Sequence, residues 1–253
     1  MNKLYKAVTR VVAVVVATWG IAVQADDHLG KAAPVDFWAC TYKDGSDRGD
    51  LEKAIEGFNK WAKAKGQEAN YDAWVLTPQY FDASIGYDYG WLGTWPDAKA
   101  YGAFSDEFWT TGTEVFARFM DMSDCASHQM ASSLEVSVAD EGPGDRGFVL
   151  FSRCTVADGK NGMDAVDAHM KLAADFKGAP GNANSWLFFP GAGAGPGIDF
   201  HYWSVLGFSS YSNFAAAWDN YVNGDGWKKM MATMDGVAQC AAGTAFDAVR
   251  VTK

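Results

Sequence analysis

Residues 35–42 alternate weakly between apolar and polar positions and are rich in aromatics, the period-two pattern of a half-buried strand. Asp50 then reads as a helix N-cap. Leu51, Ile55, Phe58 and Ala62 follow it on one helical stripe, and Gly66 is the stop. Strand patterns return at 71–76 and 87–95. Pro96 suits the first turn of a second helix, continued by Tyr101, Phe104 and Phe108. Gly112 breaks that helix in two, the second part covering 113–126, and 130–138 reads as a last strand. The order is βαββαβ.

The pattern then repeats: a strand at 148–156, a helix at 164–177, and a hairpin of 185–189 with 198–206. A split helix follows at 209–222 and 226–239, with a closing strand at 244–251. Between the copies, ADEGPGDRG at 139–147 is polar and glycine-rich and reads as a linker. Short phrases repeat along with the elements. CTYKDG at 40–45 answers CTVADG at 154–159, 114 residues later. Asp50 answers Asp164, Trp74 and Pro78 answer Trp186 and Pro190, and Leu92-Gly93 answers Leu206-Gly207. Matches in one order with small loop changes indicate internal duplication.

A βαββαβ unit is the ferredoxin-like plan, an antiparallel sheet with helices on one face and a bare apolar face on the other. Two copies in one chain can cover each other. The expected fold class is α+β, with two ferredoxin-like repeats packed sheet to sheet as an intrachain pseudo-dimer. In element order and duplication the chain resembles the dimeric α/β-barrel superfamily in a fused, tandem form. That superfamily includes cofactor-independent monooxygenases, haem-degrading or haem-binding enzymes, and small isomerases or cyclases. The resemblance implies an aromatic cavity with one or two polar groups, in a protein that is a monomer by virtue of its internal pseudo-dimer. The expected division is 1–25 signal peptide, 26–138 first repeat, 139–147 linker and 148–253 second repeat.

Cys40, Cys125, Cys154 and Cys240 allow three pairings. The duplication favours Cys40–Cys125 and Cys154–Cys240, each tying a first strand to the end of a second helix. A four-cysteine metal site is the rival reading, but no two cysteines sit within a few residues, as zinc motifs require.

Composition changes the picture at the N-terminus. Lys3, Lys6 and Arg10 precede the apolar run of residues 11–23, and Val23-Gln24-Ala25 offers a small-residue cleavage site, the three regions of a secretory signal peptide. The apolar run is shorter than a membrane span. The expected mature protein is exported to the periplasm or beyond, without stable membrane insertion, in a compartment where cysteines pair. The whole chain of 253 residues carries a formal charge of −10. It shows no basic face for nucleic acid, and its charge mildly favours neutral or cationic ligands. The expected partner is a small molecule.

No nucleophile elbow, His-Glu-x-x-His or calcium loop occurs, and no motif requires a cofactor or a metal. Haem enters only through the resemblance. The glycine run PGAGAGPGID at 190–199 lacks a phosphate-loop Lys-Ser/Thr, and reads as a hairpin loop or as a flap over a cavity mouth. The catalytic candidates are His169, Arg153 and His201. His169 stands where the first copy has Ile55 on the inward stripe, as a core histidine or as a base or haem ligand. Arg153 stands where the first copy has Ala39, and would pair with a carboxylate or hold an anionic group. His201 lies beside Tyr202 and Trp203. His28 falls in the mature N-terminal tail, and His128 follows the cysteine near the first copy's end. Trp38, Tyr42, Trp74, Trp186 and Trp203 are core aromatics or pocket walls. The expected function is to bind a small hydrophobic or aromatic molecule, with monooxygenase- or isomerase-like catalysis as one form. Non-catalytic ligand or haem binding, or a structural interaction module, are the alternatives.

Overall fold

The computed structural model describes residues 31–139, 144–195 and 197–252, so the expected signal peptide lies outside the described residues. The first repeat runs β1 (Ala33–Tyr42), α1 (Arg48–Ala64), β2 (Asp72–Tyr80), β3 (Tyr89–Thr94), α2 (Ala98–Thr111), α3 (Thr113–Met122) and β4 (Ser123–Ser137). The second runs β5 (Arg146–Val156), α4 (Gly162–Asp175), β6 (Asn184–Pro190), β7 (Tyr202–Phe208), α5 (Tyr211–Asn223), α6 (Gly226–Met234), β8 (Ala238–Cys240) and β9 (Thr244–Arg250). Short β8 and β9 lie in line along β5 and together do what β4 does along β1.

The strands close into an antiparallel barrel. The order is β7-β6-β4-β1-β3-β2-β9-β5, and β5 pairs back onto β7. The two repeats are joined at two matching seams. β4 pairs with β6, with Leu134 opposite Leu187, and β9 pairs with β2, with Leu76 opposite Ala248. Strand alternation sends every second side chain inward. Val35, Leu76, Leu92 and Ala131 of the first repeat therefore meet Phe188, Val205, Phe246 and Ala248 of the second in one buried cluster. The bare faces of the two sheets cover each other as the duplication requires, and the helices lie outside.

The cap of α1 lies three residues before the expected Asp50, and α4 starts at Gly162 rather than at 164. Asp47, not Asp50, is the N-cap of α1, accepting the N–H groups of Gly49 and Asp50, while the Asp50 carboxylate accepts the Asp47 N–H. Asn161 and Asp164 repeat this capping box at α4. The repeated aspartates are thus third residues of helices, and the true caps differ between copies.

Both disulfides form as the duplication predicts, Cys40–Cys125 and Cys154–Cys240. Their second cysteines are on strands rather than helices, a correction to the expected positions. Cys125 sits opposite Cys40 and Cys240 opposite Cys154 in strand register. That pairing ends α3 at Met122 rather than 126, and α6 at Met234 rather than 239, because a cross-strand disulfide needs extended chain on both sides. Gly236, at φ +67°, makes the turn out of α6. Among the described residues, no helix is long and apolar enough to cross a membrane.

Candidate ligand-binding site

Between the first repeat's sheet and helices α2 and α3 lies a cavity of about 330 Å³, lined by twelve aromatic side chains together with Asp36 and His128. Strand alternation on β1 points Asp36 and Trp38 toward the helices while Val35 and Phe37 point into the barrel. Register does the rest. Trp38 stands opposite His128 on β4, so the indole and imidazole stack with centroids 3.5 Å apart and planes 16° from parallel. Asp36 Oδ2 accepts the Trp38 indole N–H at 3.0 Å and lies 2.8 Å from His128 Nε2. Asp36 Oδ1 is buried and has no hydrogen-bond partner among the described residues, and the same holds for the Trp95 indole nitrogen. Both residues line the cavity.

Tyr71 and Trp91 complete the polar edge, with the Trp91 indole N–H donating to the Tyr71 hydroxyl at 2.6 Å. Burial, and then the Asp36 charge, hold the Tyr71 phenol well above its ordinary pKa, so it stays protonated. Gly93 stands opposite Asp36 on β3. A Cβ there would collide with Asp36 Oδ1 and with the Tyr71 ring and hydroxyl, so these groups occupy the space a side chain would take.

The glycine run of 190–199 reaches this site from the other repeat. The Gly191 N–H donates to the Met130 carbonyl and the Met130 N–H to the Ala192 carbonyl, both at 2.8 Å. Ala192 and Gly193 thereby border the cavity beside His128. Gly193 has φ +79°, and a Cβ there would strike the His128 carbonyl oxygen. Gly193→Val is expected to cost about 2 kcal/mol through left-handed backbone and clash. It should also release this loop, seen as faster amide exchange at Gly191 and Met130. Unchanged exchange would show that the loop docks without it.

A second cavity of about 360 Å³ lies inside the barrel, between the repeats. It is lined by Trp74, Trp186, Val35, Leu92 and Phe188 among others, with Lys31 and Glu135 as its charged residues. Trp95 borders both cavities.

The sequence candidates are thus distributed over separate places. Trp38 lines the helix-side cavity, and Trp74 and Trp186 line the barrel cavity. Tyr42 packs against Tyr89 at the rim of the first repeat's core, and burial pushes its phenol up to about 12. Trp203 joins the barrel interior, with Phe200 4.5 Å away. Arg153, opposite Trp203 in register, is exposed and lies over the Phe200 ring. His201 is exposed, and its Nδ1 accepts the Val156 N–H at 2.8 Å.

His169 is buried on α4, 2.9 Å from the Tyr202 hydroxyl and close to the Cys154 and Cys240 sulfurs. Arg153 and Cys154 are neighbours on a strand and face opposite ways, so His169, packed beside Cys154, shares no cavity with Arg153. The surroundings of His169 do not fit a haem or metal ligand. Its Nε2 is engaged by Tyr202, the two sulfurs are bonded to each other, and it borders neither cavity. Asp36 and His128 were missed as a pair because they are 92 residues apart in sequence. A signal did exist. At the duplication's offset, Asp36, Trp38 and His128 correspond to Leu150, Ser152 and Gly243, which also meet in space. The first repeat carries polar and aromatic groups where the second carries none that ionise.

No family model matches the sequence, and no curated protein matches it. Solved structures do. A candidate monooxygenase from Lactobacillus acidophilus superposes with a TM-score of 0.54 at 13% identity, covering 88% of this chain and 95% of its own. A candidate monooxygenase from Fusobacterium nucleatum gives 0.55 at 10% identity, over 87% and 93%. A candidate chlorite dismutase gives 0.53 at 7% identity, over 88% and 97%. At these identities the likeness is one of fold. The chain has the dimeric α/β-barrel architecture, with both ferredoxin-like halves supplied by one polypeptide.

Proposed function

We propose that this is an exported protein that binds a small, hydrophobic or aromatic molecule in the helix-side cavity of its first repeat. The observation that carries the reading is the coincidence of an aromatic cavity with a carboxylate–imidazole pair at its edge and two buried polar atoms without partners among the described residues. Core packing alone leaves few such atoms, because a buried polar group without a partner costs about 1–3 kcal/mol. Export is supported by the signal-like N-terminus and by two disulfides, which persist in oxidising compartments.

The pair also offers chemistry. With the His128 Nε2–H donated to Asp36, the imidazole is fixed in the tautomer whose Nδ1 carries a lone pair. Such a base can remove a proton from a bound molecule, the opening step of an isomerase or a cofactor-independent monooxygenase. The neighbouring folds named as candidate monooxygenases agree with this form of the function. A non-catalytic binder would use the same cavity, and turnover separates the two.

Native mass spectrometry of protein prepared from its own periplasm is expected to show a small bound mass. Titration with 2-naphthol is expected to quench tryptophan fluorescence, with Trp38→Ala weakening that probe about tenfold through loss of one stacking wall. A bare protein whose fluorescence ignores 2-naphthol would overturn the reading.

A further inference from the structure

The cavity's polar atoms define the charge of what it holds. Asp36 Oδ2 is occupied by Trp38 and His128, which leaves Oδ1 as a buried acceptor of a carboxylate with no donor. Asp36 is the one acidic residue among those lining the cavity, and no lysine or arginine lines it. A buried carboxylate oxygen in that setting calls for a donor, and an anion placed there would be repelled. Most of the remaining wall is aromatic, Trp91 and Phe116 included, and aromatic rings attract cations through their quadrupoles.

Nothing comparable stands in the second repeat, where Leu150 and Ser152 take the places of Asp36 and Trp38. The chain's formal charge of −10 would also draw cations toward it.

We infer that the ligand of the first repeat's cavity is an organic ammonium ion: a small amine whose N–H group donates to Asp36 Oδ1 and whose carbon frame lies against the aromatic walls. The inference rests on the cavity being the binding site, as proposed above.

Calorimetric titration of the full chain with 2-phenylethylammonium, 2-phenylethanol and phenylacetate tests it, since the three share a ring and differ in charge. The ammonium ion should bind at least tenfold more tightly than the alcohol, with phenylacetate weakest. Asp36→Asn should erase the gap between ammonium ion and alcohol, because the amide removes the charge and, with its oxygen kept on Trp38 and His128, turns a donor toward the cavity. If that variant fails to fold, the order of the three probes on the wild-type chain still decides. Equal or tighter binding of the alcohol or phenylacetate overturns the ammonium assignment and leaves the cavity reading standing. So does the binding of 2-naphthol with none of the three. Failure of all four probes overturns both.

Discussion

Replacing Cys40 and Cys125 together by alanine is expected to cost ~4–5 kcal/mol, the chain-entropy value for a closed loop of this length. The two bridges span 85 and 86 residues, so Cys154→Ala with Cys240→Ala should cost nearly the same. Net stability of a domain is about 5–15 kcal/mol, so either loss takes a large share. For a chain of this size it corresponds to a fall in Tm of roughly 10–20 °C. Cys40 and Cys154 are buried on the helix side of each sheet, Cys125 is half-buried and Cys240 is exposed, and both Cys40 and Cys125 border the helix-side cavity. Loss of the first bridge should therefore weaken 2-naphthol binding as well as stability, whereas loss of the second should lower Tm and leave binding to the folded fraction intact. Thermal melts of the two double variants, with and without reductant, check the first statement. A cost under about 1 kcal/mol would mean that the unfolded chain is already restrained by something else.

Acid is the second large effect. Burial lowers the His169 pKa from 6.5 to about 4, so the folded protein resists protonation there and the unfolded chain does not. The sign follows from linkage. A histidine with a depressed pKa contributes its full stability above 6.5 and loses it as pH falls toward 4. The whole window is worth about 3 kcal/mol. Urea midpoints between pH 7.5 and 4.5 should fall more steeply for wild type than for His169→Gln, which keeps a polar partner for Tyr202 and removes the titration. Parallel curves for the two proteins would show that carboxylates alone govern the acid response.

Much of the architecture can be read in the sequence, because duplication writes it twice. The cysteine spacings, the repeated CTxxDG phrase and the two Trp-x-x-x-Pro segments fix two equivalent units, and the bare faces of two such units have one way to hide. What is hidden follows physical lines. The first six residues of β4, Ser123–His128, contain no large apolar side chain, so their periodicity says nothing, and only the bridge to Cys40 draws them into the sheet. The caps Asp47 and Asn161 differ between copies while the third helical residues Asp50 and Asp164 match, so the repeat draws attention to the wrong aspartates.

The site was legible in part. Trp38 follows from its strand, but its neighbour Asp36 gains meaning only through β1–β4 register, which brings His128 across, and through Gly93, which leaves room for the carboxylate. The departures from symmetry at Asp36, Trp38 and His128, where the second repeat has Leu150, Ser152 and Gly243, point to the first repeat. Arg153 and His201 draw the eye in the second because charged and imidazole side chains stand out singly. Asp36 and His128 matter as a pair, and strand pairing alone reveals that.

The two seams, β4 with β6 and β2 with β9, are one joint made twice. A polypeptide cut at the junction of the repeats would leave each half with two raw strand borders and an uncovered oily surface, both shaped for the same feature on its sister. Either half expressed alone is thus equipped to recruit a twin of itself into a symmetric pair. The long intact chain, in contrast, carries its mate on the same backbone, at an effective concentration no free monomer could reach.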